Sequence, residues 1–306
     1  MKTGHLLTVR DLTPEKMRTL FADTARMKKN KNHPRTLIGK TLGLLFQKPS
    51  VRTRVSFEVG MAQLGGQSIY IGPVELQGGQ REAARDLAKV LCRYLDGIVA
   101  RTFAHKDVEE MAAASSVPVI NGLSDGSHPC QALADLFTMQ EKFVKLHGLK
   151  AAYIGDGNNV CHSLIEAAAL AGVDLTVATP SKYEPDPAVL RWAHAQAKKT
   201  GAALRLVRDP KEAVKKAAVL YTDVWTSMGQ EKERAQRRRD FSAYQVNEKL
   251  FKSGPKGMLF MHCLPAHRGE EVTDEVIDSR FSIVYDQAEN RMHVQKAILL
   301  DLLNRS

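Results

Sequence analysis

Short apolar runs recur along this chain, and the segments between them carry the spacing and capping of helices. The runs are Thr41–Phe46, Ser68–Ile71, Gly97–Ala100 and Pro118–Asn121, then Lys150–Ile154, Leu175–Ala178, Ala203–Val207, Val219–Thr222, Met258–Met261 and Ile283–Tyr285. Strands apolar on both faces belong in a parallel sheet covered by helices on either side. The alternation therefore predicts an α/β fold. A long helix over 129–146, ending at Gly148, splits the runs into two series. The expected architecture is two doubly wound parallel-sheet domains linked by that helix.

Local signals sharpen the helices. Thr13 is a natural N-cap before Pro14, and Met17, Leu20, Phe21 and Ala25 share one face of a helix over 13–29. A second helix, 52–64, has Val51, Val55, Val59 and Ala62 as its apolar stripe and stops at Gly65-Gly66. The charged stretch 229–243 reads as a mobile loop or an exposed helix. An amphipathic helix over 289–304 closes the chain.

With 306 residues, 43% hydrophobic and 25% charged, the chain buries a core without a disulfide or metal staple. Cys92, Cys130, Cys161 and Cys263 are scattered with no C-x-x-C pair, which fits reduced cytosolic thiols rather than structural zinc. Met1–Leu7 has no apolar core and acidic Asp11 and Glu15 follow, so neither a secretory signal nor a transit peptide is expected. No uncharged apolar run nears the roughly 20 residues needed to cross a bilayer. The expectation is a cytoplasmic protein with no membrane association.

Forty-four Lys and Arg against 34 Asp and Glu give a net charge of +10. That surplus suggests an anionic partner: a nucleic acid, a membrane surface or a small molecule. The densest basic runs, Arg26–Lys31 and Arg234–Arg239, lack the interleaved aromatics of a single-strand platform and read as solvated faces. No nucleic-acid partner is expected.

Four segments carry chemistry. Ser50-Val51-Arg52-Thr53-Arg54 joins a buried strand to a helix start. Amide groups and the positive dipole end there form an anion site, and arginine adds a fork matched to phosphate. His128-Pro129-Cys130-Gln131 opens the linker helix, with His128 and Gln131 one turn apart. Asp223–Gly229 and His262-Cys263-Leu264-Pro265 each follow a strand, where open α/β sheets bind ligands. Cys263 fits a nucleophile, a ligand contact or a small buried residue; His262 fits a packed core histidine or a base. Gly155-Asp156-Gly157-Asn158-Asn159-Val160 resembles a dinucleotide fingerprint but ends in valine, and no acid follows the next strand. Nicotinamide binding is not expected.

In their order these segments resemble the aspartate/ornithine carbamoyltransferase family over essentially the whole chain. The Ser50–Arg54 and His128–Asp135 segments are common to the family. Asp223–Gly229, His262–Pro265 and Glu289-Asn290-Arg291 point to its ornithine branch. The resemblance implies domains at 1–140 with 289–306, binding carbamoyl phosphate, and at 141–288, binding ornithine, with the C-terminal helix packing back on the first. It implies carbamoyl transfer to the δ-amine of L-ornithine in arginine biosynthesis, with another amine such as putrescine as the alternative acceptor. Carbamoyl phosphate would be held by Ser50, Val51, Arg52, Thr53, Gln77, Arg101, His128, Pro129, Cys130, Gln131, Cys263, Leu264 and Arg291. Ornithine would be held by Asn159, Asp223, Ser227 and Met228. Arg101, His128 and Cys263 would be catalytic, and neither a metal nor an organic cofactor is implied. A homotrimer is implied too, with the 229–243 segment closing over ornithine. A catalytically silent paralogue should have lost one of Arg52, Arg101, His128 or Cys263, and all four are present. One departure stands out: the family usually has threonine where this chain has Val51, so only a backbone contact is available there.

Overall fold

Every strand pairing among the described residues is parallel, as the doubly apolar runs require. The computed structural model describes residues 4–30, 35–76, 82–227 and 229–304. They form two compact units, Met1–Ala134 with Glu289–Ser306, and Asp135–Ala288.

The first unit carries α1 (Pro14–Lys29), β1 (Thr41–Phe46), α2 (Val51–Gln63), β2 (Gln67–Ile71), α3 (Pro73–Leu76), α4 (Ala84–Leu91), β3 (Gly97–Arg101), α5 (His105–Ala114) and β4 (Val119–Leu123). Helix α6 (Pro129–Phe143) leads into the second unit. It ends three residues short of the predicted 146, where Val144 turns to φ 66°. The second unit holds β5 (Lys150–Ile154), α7 (Asn159–Ala171), β6 (Asp174–Ala178), α8 (Pro187–Thr200), β7 (Leu204–Val207), α9 (Pro210–Val214), β8 (Val219–Thr222), α10 (Arg234–Asp240), α11 (Glu248–Lys252), β9 (Leu259–His262) and α12 (Asp274–Ile277). Helix α13 (Val284–Leu303) ends the described chain, and its residues from Glu289 belong to the first unit.

The sheet orders are β2-β1-β3-β4 and β7-β6-β5-β8-β9. In each, the chain crosses to the other side of its first strand partway through. The crevices at these switch points lie beyond the carboxyl ends of β1 and β3 in one unit and of β5 and β8 in the other.

Two expectations fail for physical reasons. Helix α2 buries Thr53, Phe57, Gly60 and Met61, not the valine stripe. Val51, Val55 and Val59 are 77%, 48% and 38% exposed. Two apolar stripes compete on this helix, and the one with Phe57 and Met61 removes more surface from water, about 1.5–3 kcal/mol for each large side chain. Gly60 lies on the same face, where an added Cβ would stand 3.3 Å from the Lys296 side chain of α13. The other failure is Ile283–Tyr285. Ile283 and Val284 are both buried and Tyr285 is exposed, so the burial does not alternate as it would on a half-buried strand. Only an isolated bridge forms, Ser282 to Phe260, and Gln287 N–H already donates to Ile283 O at 2.9 Å to begin α13.

The predicted N-cap holds its helix: Thr13 Oγ1 accepts from Lys16 N at 3.1 Å. Gly172, at φ 78°, ends α7 in the left-handed conformation. No described helix is long and apolar enough to cross a membrane.

Candidate active site

In the first unit the crevice is built on β1 and β3, whose last residues, Phe46 and Arg101, are register partners. Gln47 N–H donates to Arg101 O at 2.8 Å, fixing where the chain leaves β1. The Gln47 side chain donates to Asp107 Oδ2 and accepts from Phe103 N, both at 2.9 Å, so the approach to Ser50 is rigidly held. Ser50 is the N-cap of α2: extended at φ −161°, its Oγ accepts from Thr53 N. The first amides of α2 have no intrahelical acceptor and point outward with the positive end of the dipole. Thr53 Oγ1 accepts from Ser50 Oγ at 3.0 Å and from Arg291 Nη2 at 2.9 Å, tying α13 to this turn. Val51 and Arg52 lie exposed on it.

His128 is delivered to the same place by a buried turn. Asn121 Nδ2 on β4 donates to Leu7 O, Ser124 Oγ and Ser127 O, and Ser124 N–H donates to Ser127 O at 3.0 Å. That turn ends at His128, one residue before Pro129 opens α6, with Cys130 and Gln131 buried on its first turn.

The electrostatics are those of an anion site. Lys48, Arg101 and Arg291 are 7%, 5% and 4% exposed. Burial, then Arg291, Arg101 and Lys48, hold the His128 imidazole well below its ordinary value, so it is neutral near pH 7. Burial, followed by Arg101, lowers Lys48 to about 8 against the opposing pull of Asp125. Its ammonium sits 5.0 Å over the Phe103 ring, and among the described residues it makes no ion pair. Burial pushes the Cys130 thiol up to about 12, which makes it a packing group. Cations gathered out of water are costly to bury, and an anion bound among them offsets part of that cost.

In the second unit the loops after β5, β8 and β9 converge. Asn158 caps α7 by accepting from Val160 N and Cys161 N, and its Nδ2 donates to Asp223 Oδ2 at 2.8 Å. Cys263 Sγ donates to the other oxygen, Oδ1, at 3.0 Å. Asn159 is half-buried beside this pair, and Ser227 N–H donates to Gln230 Oε1 at 3.1 Å. His262 is fully buried. Leu264 N–H donates to its Nδ1 at 2.9 Å, so the proton resides on Nε2, 3.2 Å from Glu271 Oε1. This holds Leu264 at φ 58°, where a side chain is strained. His262 is thus the packed histidine of the two expected alternatives. Asp223, His262 and Cys263 bring ligand atoms within 4.8 Å of one another, a spacing that suits a metal, yet those atoms are engaged in hydrogen bonds with the protein.

The glycine-rich turn after β5 serves the chain itself. Gly155 adopts φ 143°, and a Cβ at Gly157 would stand 2.3 Å from Pro185 N and 2.6 Å from Tyr183 O. Residues 183–185 pack directly against this turn, where only a glycine fits.

The structure thus gathers Ser50, Val51, Arg52, Thr53, Arg101, His128, Pro129, Cys130, Gln131 and Arg291 in one unit. It gathers Asn159, Asp223, Ser227, Cys263 and Leu264 in the other. Gln77 and Met228 lie outside the described residues. Lys48 and Asn158 are not among the expected site residues, although Lys48 stands two residues before Ser50 and Asn158 one before Asn159. Arg234–Arg239, expected as a solvated face, includes the buried Arg237.

Two family descriptions match this chain. The aspartate/ornithine carbamoyltransferase carbamoyl-P binding domain covers residues 4–141, and the Asp/Orn binding domain of that family covers 147–302. The chain is 55% identical to an ornithine carbamoyltransferase of Pyrococcus horikoshii over 99% of its own length and 96% of the relative's. It is 55% identical to the anabolic ornithine carbamoyltransferase of Pyrococcus furiosus over 96% and 94%. The solved structure of the ornithine carbamoyltransferase from Pyrococcus furiosus superposes with a TM-score of 0.94 at 53% identity, covering 98% of this chain and 97% of that one.

Proposed function

Because this chain belongs to the aspartate/ornithine carbamoyltransferase family, we propose that it transfers the carbamoyl group of carbamoyl phosphate to the δ-amine of L-ornithine, giving L-citrulline and phosphate. The observation that carries this reading is the buried cluster of Lys48, Arg101 and Arg291 around a neutral His128, beside the N-terminus of α2. These groups together make an anion site. The first unit binds carbamoyl phosphate and the second binds ornithine.

The phosphate lies on the backbone amides of Val51, Arg52 and Thr53, with Ser50, Arg52, Lys48 and Arg291 around its oxygens. Val51 contributes its N–H alone. Arg101 and neutral His128 donate to the carbamoyl oxygen, with Gln131 beside them, so they meet the charge that develops as the carbon becomes tetrahedral. Asp223 takes the α-ammonium of ornithine, and Asn159 and Ser227 orient the amino-acid end. The neutral δ-amine attacks the carbamoyl carbon. The C–O bond to phosphate breaks with its electron pair, and a phosphate oxygen accepts the amine proton. Cys263, a donor to Asp223, fixes the orientation of that carboxylate. Most of the acceleration comes from positioning.

The enzyme acts in the biosynthetic direction in the cytoplasm, as a homotrimer. The relative named anabolic supports the direction, and the outward valines of α2, an apolar face that suits a second copy, support the assembly. A ureido assay with carbamoyl phosphate and, separately, ornithine, putrescine, N-acetylornithine and aspartate tests the reaction. Ornithine alone should turn over rapidly; activity confined to any other acceptor would overturn it. Light scattering of the purified protein tests the trimer.

A further inference from the structure

The basic stretch 234–239 hides one arginine that does something its neighbours do not. Arg234 and Arg238 lie on the outer face with Glu270. Arg237 is 6% exposed and turns inward. Its Nη1 donates to Asp156 Oδ2 at 2.8 Å and to Trp225 O at 2.9 Å, its Nε donates to Glu233 Oε2 at 2.9 Å, and its guanidinium lies 5.0 Å over the Tyr183 ring. One side chain thereby joins the turn after β5 to the loop after β8, two residues before Ser227. The Trp225 ring stacks on Phe241, while its Nε1 and the Thr226 hydroxyl are buried with no partner among the described residues, so neither of these two side chains anchors the loop by a hydrogen bond.

We propose that Arg237 is a positioning residue for the amino-acid substrate: held by Asp156, it sets the backbone at Trp225 and so the placement of Ser227. The inference rests on the ornithine reading given above. Asp156 is faced by Arg237 and Glu233 from the 231–240 segment and by Asp223 from the end of β8, and burial raises it to about 6. The latch should therefore loosen as Asp156 takes up a proton.

The test uses the full-length protein, the single variants Arg237→Met, Arg237→Lys and Asp156→Asn, and combinations of them. Arg237→Met should raise KM for ornithine at least tenfold, leave kcat within about threefold, and leave inorganic phosphate binding by calorimetry unchanged. Arg237→Lys keeps the charge without the fork and should fall between. The double variant Arg237→Met/Asp156→Asn should be no worse than Arg237→Met, because the two act as one unit. An unchanged KM, or a loss confined to kcat, would overturn the proposal. A second readout needs no turnover: acrylamide quenching of Trp225 in a Trp192→Phe background. Quenching should rise in Arg237→Met and, in the parent, as pH falls below about 6, but not with pH in Asp156→Asn. Quenching unchanged by Arg237→Met would overturn the latch. A parent protein inactive on ornithine, with quenching as expected, would overturn the functional reading and leave the latch standing.

Discussion

Cys263 Sγ donates a hydrogen bond to Asp223 Oδ1 at 3.0 Å, while Asn158 holds the other carboxylate oxygen at 2.8 Å. Three loops from three strands thus fix one carboxylate, and neither neighbour is needed to carry charge. A hydrogen bond to a charged group is worth about 1.5–3 kcal/mol, a factor of roughly 10–100. Cys263→Ala should lower kcat/KM for ornithine within that range, and Cys263→Ser, which restores a donor, should recover most of it. Steady-state kinetics with ornithine varied would check both. Equal losses in the two variants would instead mean that the thiol does chemistry a hydroxyl does not.

Lys48 predicts a pH dependence of anion binding. Its ammonium is lost as pH rises through about 8, and the charged form is the one that attracts phosphate. Affinity for inorganic phosphate, a dianion in this range, should fall by up to about tenfold per pH unit above 8. Lys48→Met should bind more weakly at pH 7.5 and lose the slope, as measured by calorimetry between pH 7.5 and 9.5. Arg52→Ala should abolish saturation by carbamoyl phosphate at every pH.

Gly157 separates close approach from simple turn preference. A methyl group there would meet Pro185 N at 2.3 Å and Glu184 C at 2.5 Å, backbone atoms that cannot step aside. Gly157→Ala should cost more than about 4 kcal/mol or prevent folding of the second unit. Gly257→Ala, at φ 88° with nothing within 4 Å, should cost only about 1–2 kcal/mol. Thermal unfolding followed by circular dichroism distinguishes them.

Lys296 should destabilise the native state in a pH-dependent way. It is fully buried on α13, its Nζ donates to Gln63 Oε1 at 2.8 Å, and burial lowers it to about 8. Between about 8 and the unfolded value near 10.4, the unfolded chain binds the extra proton, so stability rises with pH by at most about 1.4 kcal/mol per unit. Lys296→Met should flatten that rise and raise Tm at pH 7. Urea unfolding at pH 7, 8.5 and 9.5 is the measurement.

The order of strands and helices, the caps at Thr13 and Ser50 and the position of each chemical motif were set by the sequence alone. They depend on local periodicity, on hydroxyls beside helix starts and on apolar runs long enough to be strands. Even the crevices followed, because a parallel sheet places its ligands beyond the carboxyl ends of its strands. Tertiary structure decided what competing local patterns left open. Helix α2 has two apolar stripes, and only packing against the rest of the first unit chose Phe57 and Met61 over the valines. Ile283–Tyr285 is a short apolar run that reads as a strand, but the backbone turns at Val284 into α13. Lys48, Asn158 and Arg237 look like ordinary polar residues in one dimension. Each draws its meaning from a partner far along the chain: Arg101 for Lys48, Asp223 for Asn158, and Asp156 for Arg237. Charge and burial act through space, so a net charge of +10 shows that cations are in surplus, and only the fold shows which of them are turned inward.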